Sequence, residues 1–384
     1  MQIPLIDLGI QQRRLEPEIM AALKRVFASR RFILGAEGRA LEAEIARLCG
    51  VAHAVGVASG SAGLLLALQA AGVQRGDRVV TTPFTFLATV EAIRLLGAEP
   101  CFVDIGRNDF HIDVGLAHEA AVRHRAAAVV PVHLFGGCAS AACEDFGSAA
   151  VIEDAAQALG AHFPGSVERR AGSVGLCGVF SFFPTKNLGA AGDGGIVVTN
   201  DAALAERLRR LRNHGRGERP PVAGEIGFNH RLDELQAAVL NVKLPHLPAW
   251  IEARRRNALA YEAAFRETGL DDILVLPPIP PGHSVHHYVI RTPRRDALRS
   301  HLRAAGIETG IYYDPPLHLH PAMRDLGYRR GDFPEAEGAA GEVLALPVYP
   351  ELPRAHLLRV VETIASFLRP PGRRTTAHTE GDSV

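Results

Sequence analysis

The stretch SFFPTKNLGAAGDGG, residues 181–195, holds a lysine that the rest of the chain makes conspicuous. Of 42 basic residues, only Lys24, Lys186 and Lys243 are lysines. Between Ala171 and Asn200 the only charged residues are Lys186 and Asp193. An amine can lose its proton and attack a carbonyl, which a guanidinium cannot do. A free lysine has a pKa of about 10.4, and an apolar pocket brings catalytic lysines to about 7–8. Lys186 is therefore either a surface-loop lysine or one able to form a Schiff base with a carbonyl compound or with pyridoxal phosphate. Lys24 and Lys243 sit among polar neighbours on helical stretches and read as surface residues.

Pyridoxal phosphate makes further demands of a sequence. Its ring nitrogen needs a carboxylate to hold a proton there. AAVIEDAAQALGA supplies Asp154 at the carboxyl end of an expected strand, followed by Gln157; the alternatives are a helix N-cap and a solvent-facing glutamine. The phosphate needs donors. ASGSAGLLLALQAA runs from strand through a small polar turn into a helix, where the N–H groups of Gly60, Ser61 and Ala62 and the Ser61 hydroxyl are candidates. Simple N-capping by Ser59 or Ser61 is the other reading, and Ser181 is placed to reach the same phosphate. Phe84 and Phe86, in TTPFTFLAT, are candidates to stack on a flat ring, or core residues.

These residues need a frame. HAVGVAS (53–59), DRVVTTP (77–83), EPCFVDI (99–105), AAAVVPVHL (126–134) and AAVIEDA (149–155) are continuous apolar runs, as in strands buried on both faces. Helical stretches alternate with them, which predicts an α/β fold with a mainly parallel sheet and helices on both faces. Ligands then sit beyond the carboxyl ends of the strands, where the candidates fall. After Leu235 a long helical segment crosses Pro245 and Pro248, which should kink or break it. The following HHYVIRT and RDALRSHLRAAG predict a smaller α/β unit. The expected division is a large cofactor-binding domain at 1–245, a small domain at 246–370 and a disordered tail at 371–384. The N-terminal segment is expected to pack on the small domain.

The chain of 384 residues is 47% apolar with zero formal net charge, which gives no global pull toward nucleic acid or anionic membrane. No apolar run has the length of a membrane span, and MQIPLIDLGI lacks the basic start of a secretory leader. Five cysteines without a CxxC pair fit free thiols in a cytoplasmic protein. His318 and His320 in PLHLHPAM have no carboxylate or cysteine nearby to complete a metal site. GAAGDGG lacks the spacing of a dinucleotide turn. His133, at another strand end, either lines the pocket or caps the strand. RNHGRGERP (212–220) is either a solvated loop or a cover for a phosphate-bearing substrate.

Taken together, RRFILGAEGRALEAEIA, VASGSAGLLLAL, TTPFTFLATVEAI, VIEDAAQALGA, SFFPTKNLGAAGDGG, GFNHRLDELQAAVL and IYYDPPLHLHPA resemble the sugar aminotransferases of the DegT/DnrJ/EryC1/StrS type, within the fold-type-I pyridoxal-phosphate enzymes. The resemblance covers nearly the whole chain except the tail. It implies that Lys186 forms the Schiff base, Asp154 pairs with the ring nitrogen, Gln157 sits near the phenolic oxygen and Phe86 stacks on the ring. It implies that Gly60, Ser61 and Ser181 hold the phosphate, and that Asn229 reaches it from the neighbouring subunit of a homodimer. His133, Tyr313, His318 and Arg216 are the candidates for substrate contacts. The implied reaction uses an amino-acid donor, glutamate, to aminate a nucleotide-linked ketosugar. The wording NHRLDELQAAVL leans toward sugar C3. Members with histidine in place of the lysine are dehydratases; the alternatives are such a dehydratase or lyase, and a non-catalytic cofactor- or sugar-nucleotide-binding regulator. The chain departs from the pattern at GCASAACEDFGS and at GDGG, where GEGG is usual.

Overall fold

The computed structural model describes residues 2–216 and 225–369. The expected tail and part of the RNHGRGERP stretch lie outside the described residues.

Seven strands form the main sheet: β1 (His53–Val57), β2 (Arg78–Thr81), β3 (Glu99–Phe102), β4 (Ala128–Val129), β5 (Ala150–Asp154), β6 (Cys177–Ser181) and β7 (Gly195–Thr199). Their order is β1-β7-β6-β5-β4-β2-β3. β7 runs antiparallel to both neighbours, and the other pairings are parallel. Six strands therefore point their carboxyl ends the same way. The turns after β1, β2, β4, β5 and β6 meet along one edge, and the turn into β7 joins them.

The core explains the apolar runs. Leu64, Leu66, Val79, Val130, Ile152, Val179 and Val197 pack between the sheet and the helix Gly60–Ala70, which is buried along nearly its whole length. Gly63 permits that depth, because a Cβ there would lie 2.6 Å from Val179 Cγ1. β4 is shorter than the 126–134 run predicts. Pro131 offers no N–H to the ladder, so regular pairing stops at Val129 and returns as one bridge between Val132 and Asp154. β6 and β7 were not among the predicted strands.

The helix Glu234–Lys243 ends before Pro245, a single tight turn spans Leu244–His246, and a new helix runs Leu247–Glu267. The prolines fall in the first turns of these last two pieces, where a missing N–H costs little. A second sheet pairs β8 (Tyr288–Arg291) with β9 (Val343–Leu346), antiparallel. Beneath it Tyr261, Phe265, Leu298, Leu302, Val360 and Ile364 form a separate core. Ile3 belongs to that core and bridges Ile307.

Candidate active site

A cavity of about 380 Å³ opens along the edge where the strand ends meet. Asp154 closes β5 and Ser181 closes β6. The turn that follows carries Lys186, and it is well anchored. Lys186 N–H donates to Phe183 O, Phe182 N–H to Gly194 O, and Ala190 N–H to Phe182 O. Asn187, next in sequence, donates its side-chain N–H to Ser284 O at 2.8 Å. Leu188 and Ala190 are buried in the core below.

Lys186 and Asp154 both line the cavity. Burial brings its pKa from the usual 10.5 to about 8, with Asp154 offsetting part of the fall. Asp154 is 5% exposed. Burial raises its carboxyl, against the opposing pull of the Thr89 hydroxyl, the Ala156 N–H, Lys186 and His133. Thr89 donates to Asp154 Oδ2 at 2.7 Å, and Thr85 lies 3.0 Å from Thr89. A cavity wall thus holds an amine that is readily neutral beside a carboxylate that lacks a full counter-charge.

The helix Gly60–Ala70 starts at the same cavity. Ser59 caps it by accepting the Ala62 N–H at 3.1 Å. The Ala62 N–H is thus engaged in the N-cap that the sequence also offered for Ser59. The N–H groups of Gly60 and Ser61 lie in the first turn, where no intrahelical acceptor exists. Ser181 sits against them so closely that a Cβ on residue 60 would meet Ser181 Cβ at 2.9 Å.

Phe86 and Phe84 part company. Phe86 is 55% exposed and lines the cavity, with its ring 5.8 Å from Tyr313. Phe84 is fully enclosed and packs on Phe110 and Phe135. Gln157 is buried, accepting from Phe135 N–H at 2.8 Å and donating to the Tyr313 hydroxyl at 2.9 Å. Both Gln157 and Tyr313 line the cavity.

His133 lines the cavity, whereas His318, Arg216 and Asn229 fall elsewhere. The His133 side chain is fully enclosed: its Nδ1 accepts the Ala139 N–H and its Nε2 lies 2.7 Å from Glu153 Oε2. Neither nitrogen is left for a substrate. Glu153 also takes the N–H groups of Gly172, Val174 and Gly175. Burial alone raises its carboxyl, but His133 and these N–H groups outweigh it and the pKa falls. His318 is buried away from the cavity and spends Nε2 on Glu337 at 3.0 Å. Arg216 lies on a different cavity, with Arg31, Arg39 and Glu42. Asn229 is exposed on a third, of about 690 Å³, which shares Ser59, Ser61 and Asp193 with the Lys186 cavity. The sequence reading missed Thr85, Thr89, Tyr312, His286 and His287. Asp193, the other charge in the Lys186 stretch and the departure from the usual GEGG, lines both cavities.

The cavity fits pyridoxal phosphate. Free N–H groups at a helix start suit a phosphate, Phe86 offers a flat face, and Asp154 is a buried carboxylate that a protonated ring nitrogen would complement. Lys186 supplies the amine. No cluster of three or more metal-ligating side chains occurs among the described residues.

A sequence profile described as the DegT/DnrJ/EryC1/StrS aminotransferase family matches residues 13–365. A relative named "Pleiotropic regulatory protein", from Geobacillus stearothermophilus, is 47% identical over 96% of this chain and 99% of its own. Another, "UDP-N-acetyl-3-dehydro-alpha-D-glucosamine 3-aminotranferase" from Acidithiobacillus ferrooxidans, is 43% identical over 95% of this chain and 98% of its own. A solved structure, "X-ray crystal structure of S. venezuelae DesV in complex with ketimine intermediate", superposes with a TM-score of 0.90 at 39% identity, covering 96% of this chain and 99% of that one. Profile, relatives and fold agree with the cavity's chemistry, and the chain belongs to the DegT/DnrJ/EryC1/StrS aminotransferase family.

Proposed function

We propose that this protein is a pyridoxal-phosphate aminotransferase that converts the keto group of a nucleotide-linked sugar to an amine at C3, with glutamate as donor. The observation that carries this is the placement of Lys186, with an amine of pKa about 8, and the buried Asp154 on one cavity. When bound, the cofactor carries the amino group between the two substrates and withdraws electrons from the carbon that loses its proton. The remaining work falls to the chain. Asp154 holds a proton on the ring nitrogen, and Thr89 fixes Asp154. Lys186 Nζ takes a proton from the donor's α-carbon and, in the second half of the cycle, delivers one to the sugar's C3. The N–H groups of Gly60 and Ser61 and the Ser181 hydroxyl hold the phosphate. Phe86 covers a ring face, while Leu64, Val132 and Leu134 keep water out.

The assignment to C3 is supported by the name of the Acidithiobacillus relative. The homodimer is supported by the cavity that carries Asn229: it adjoins the phosphate turn, so a second copy docked there brings its own Asn229 toward the first copy's cofactor. Exposed Leu95 on that cavity suits such a contact. All five cysteines are buried and unpaired, which suits a reducing compartment, and we assign the cytoplasm. No helix of the described residues is long and apolar enough to cross a membrane.

A second reading, a regulator that binds cofactor without turnover, draws on the name of the Geobacillus relative. One experiment separates the two. Glutamate is added to the cofactor-loaded protein, followed by a nucleotide-linked 3-ketosugar. The first should convert the cofactor's absorbance to its amine form and the second should restore it. Cofactor binding with no response to any amino acid supports the regulator.

A further inference from the structure

His286 and His287 stand side by side ahead of β8, and their polar atoms have different fates. His286 Nδ1 lies 3.4 Å from Asn187 Oδ1, which ties it to the Lys186 turn. The ring of His287 makes no hydrogen bond or ion pair among the described residues. It is nevertheless 6% exposed. Buried imidazoles normally find partners, and an unpaired one loses its hydration without return.

Its position shows where a partner would come from. The ring stacks on Tyr312, with centroids 4.4 Å apart at 27°, and stands edge-on to Phe135 at 6.0 Å. It lines the Lys186 cavity and also a second cavity of about 240 Å³ walled by Phe110, Pro277 and Pro280. The sealed, unpaired side-chain atoms of the described residues include His111 Nε2 and His318 Nδ1, but neither nitrogen of His287. Both of its nitrogens therefore reach open space. Packing fixes the ring and leaves its polar edge unused.

We infer that His287 selects the acceptor: its imidazole edge makes a hydrogen bond with a ring hydroxyl of the bound sugar, on the Tyr312 side of the cavity. This deepens the aminotransferase reading and rests on it. Burial, with the positive charges of Lys186 and Arg254 nearby, keeps the imidazole neutral. A neutral imidazole offers one donor and one acceptor nitrogen, and a hydroxyl, itself donor and acceptor, can pair with either. The carboxylates of an amino donor only accept, so they match half of what the ring presents.

The test uses the cofactor-loaded enzyme, with its half-reactions read separately by absorbance. His287→Phe keeps a flat ring over Tyr312 and removes the polar edge; His287→Gln keeps one donor and one acceptor. The sugar probes are a nucleotide-linked 3-ketosugar and analogues that each lack one ring hydroxyl. His287→Phe should raise KM for the full sugar about tenfold, with little change in kcat and none in the glutamate half-reaction. One deoxy analogue should bind wild type and His287→Phe equally well, and His287→Gln should regain part of the discrimination. The inference is overturned if both half-reactions fall together, or if discrimination survives in His287→Phe. If that variant fails to fold, a His287→Gln enzyme in which the glutamate half-reaction falls together with the sugar half-reaction overturns it as well. A wild-type enzyme that consumes glutamate but aminates no sugar sinks the functional reading first, and the inference with it.

Discussion

Thr89 donates its hydroxyl hydrogen to Asp154 Oδ2 across 2.7 Å, which ties the helix after β2 to the carboxylate that ends β5. The bond fixes the carboxylate's orientation and opposes the rise in its pKa caused by burial. Thr89→Val keeps the shape and removes the donor. The glutamate half-reaction should slow about tenfold or more, because the lost bond is to a charged group. Rapid-mixing absorbance checks this; an unchanged rate means that Asp154 needs no such support.

Lys186 gives a pH dependence of definite sign. Its folded value of about 8 lies below the usual 10.5. Between these values the unfolded chain holds a proton that the folded chain lacks, so cofactor-free protein gains stability as pH rises through that window. Below it both states are protonated and the full cost of burying the charge is present. Capture of pyridoxal phosphate by the cofactor-free protein should accelerate as pH rises through about 8 and then level off. A profile flat across that value contradicts the account.

Gly60→Ala tests the phosphate turn. The added Cβ would meet Ser181 Cβ at 2.9 Å, so the helix start and Ser181 must separate. Cofactor affinity should fall about tenfold, the loss of one good contact to an anion. The far-ultraviolet circular dichroism should be unchanged. Equilibrium titration of the cofactor measures the first effect, and unaltered affinity would move the phosphate elsewhere.

His133→Phe separates structure from binding. The substitution leaves Glu153 buried with three N–H partners and without its imidazole. Stability should drop by about 3 kcal/mol, the cost of breaking a buried pair. The KM for sugar should hold in the protein that remains folded. Chemical denaturation and steady-state kinetics read the two quantities.

Much of this was legible in the sequence, for physical reasons. Lys186 stood out because an ionisable amine in an apolar run is rare, and Asp154 because a strand's carboxyl end in a parallel sheet faces the ligand. Successive residues of a strand point to opposite faces. Glu153, next to Asp154, therefore turns away and claims His133, a pairing that the sequence alone did not indicate. Thr89 was hidden because a threonine in a helix's first turn carries no special signal until β5 is known to lie beside it. β4 was overestimated because an apolar run does not reveal which residue must donate, and Pro131 cannot. The reading of Asn229 concerns a second copy of the chain, so its test lies in the assembled protein.

Borohydride reduction of the cofactor-saturated enzyme, followed by peptide mapping, tests the central claim most directly. The account predicts a single phosphopyridoxyl adduct, on Lys186. An adduct on Lys24, Lys243 or any other residue, or no adduct in saturated enzyme, contradicts it.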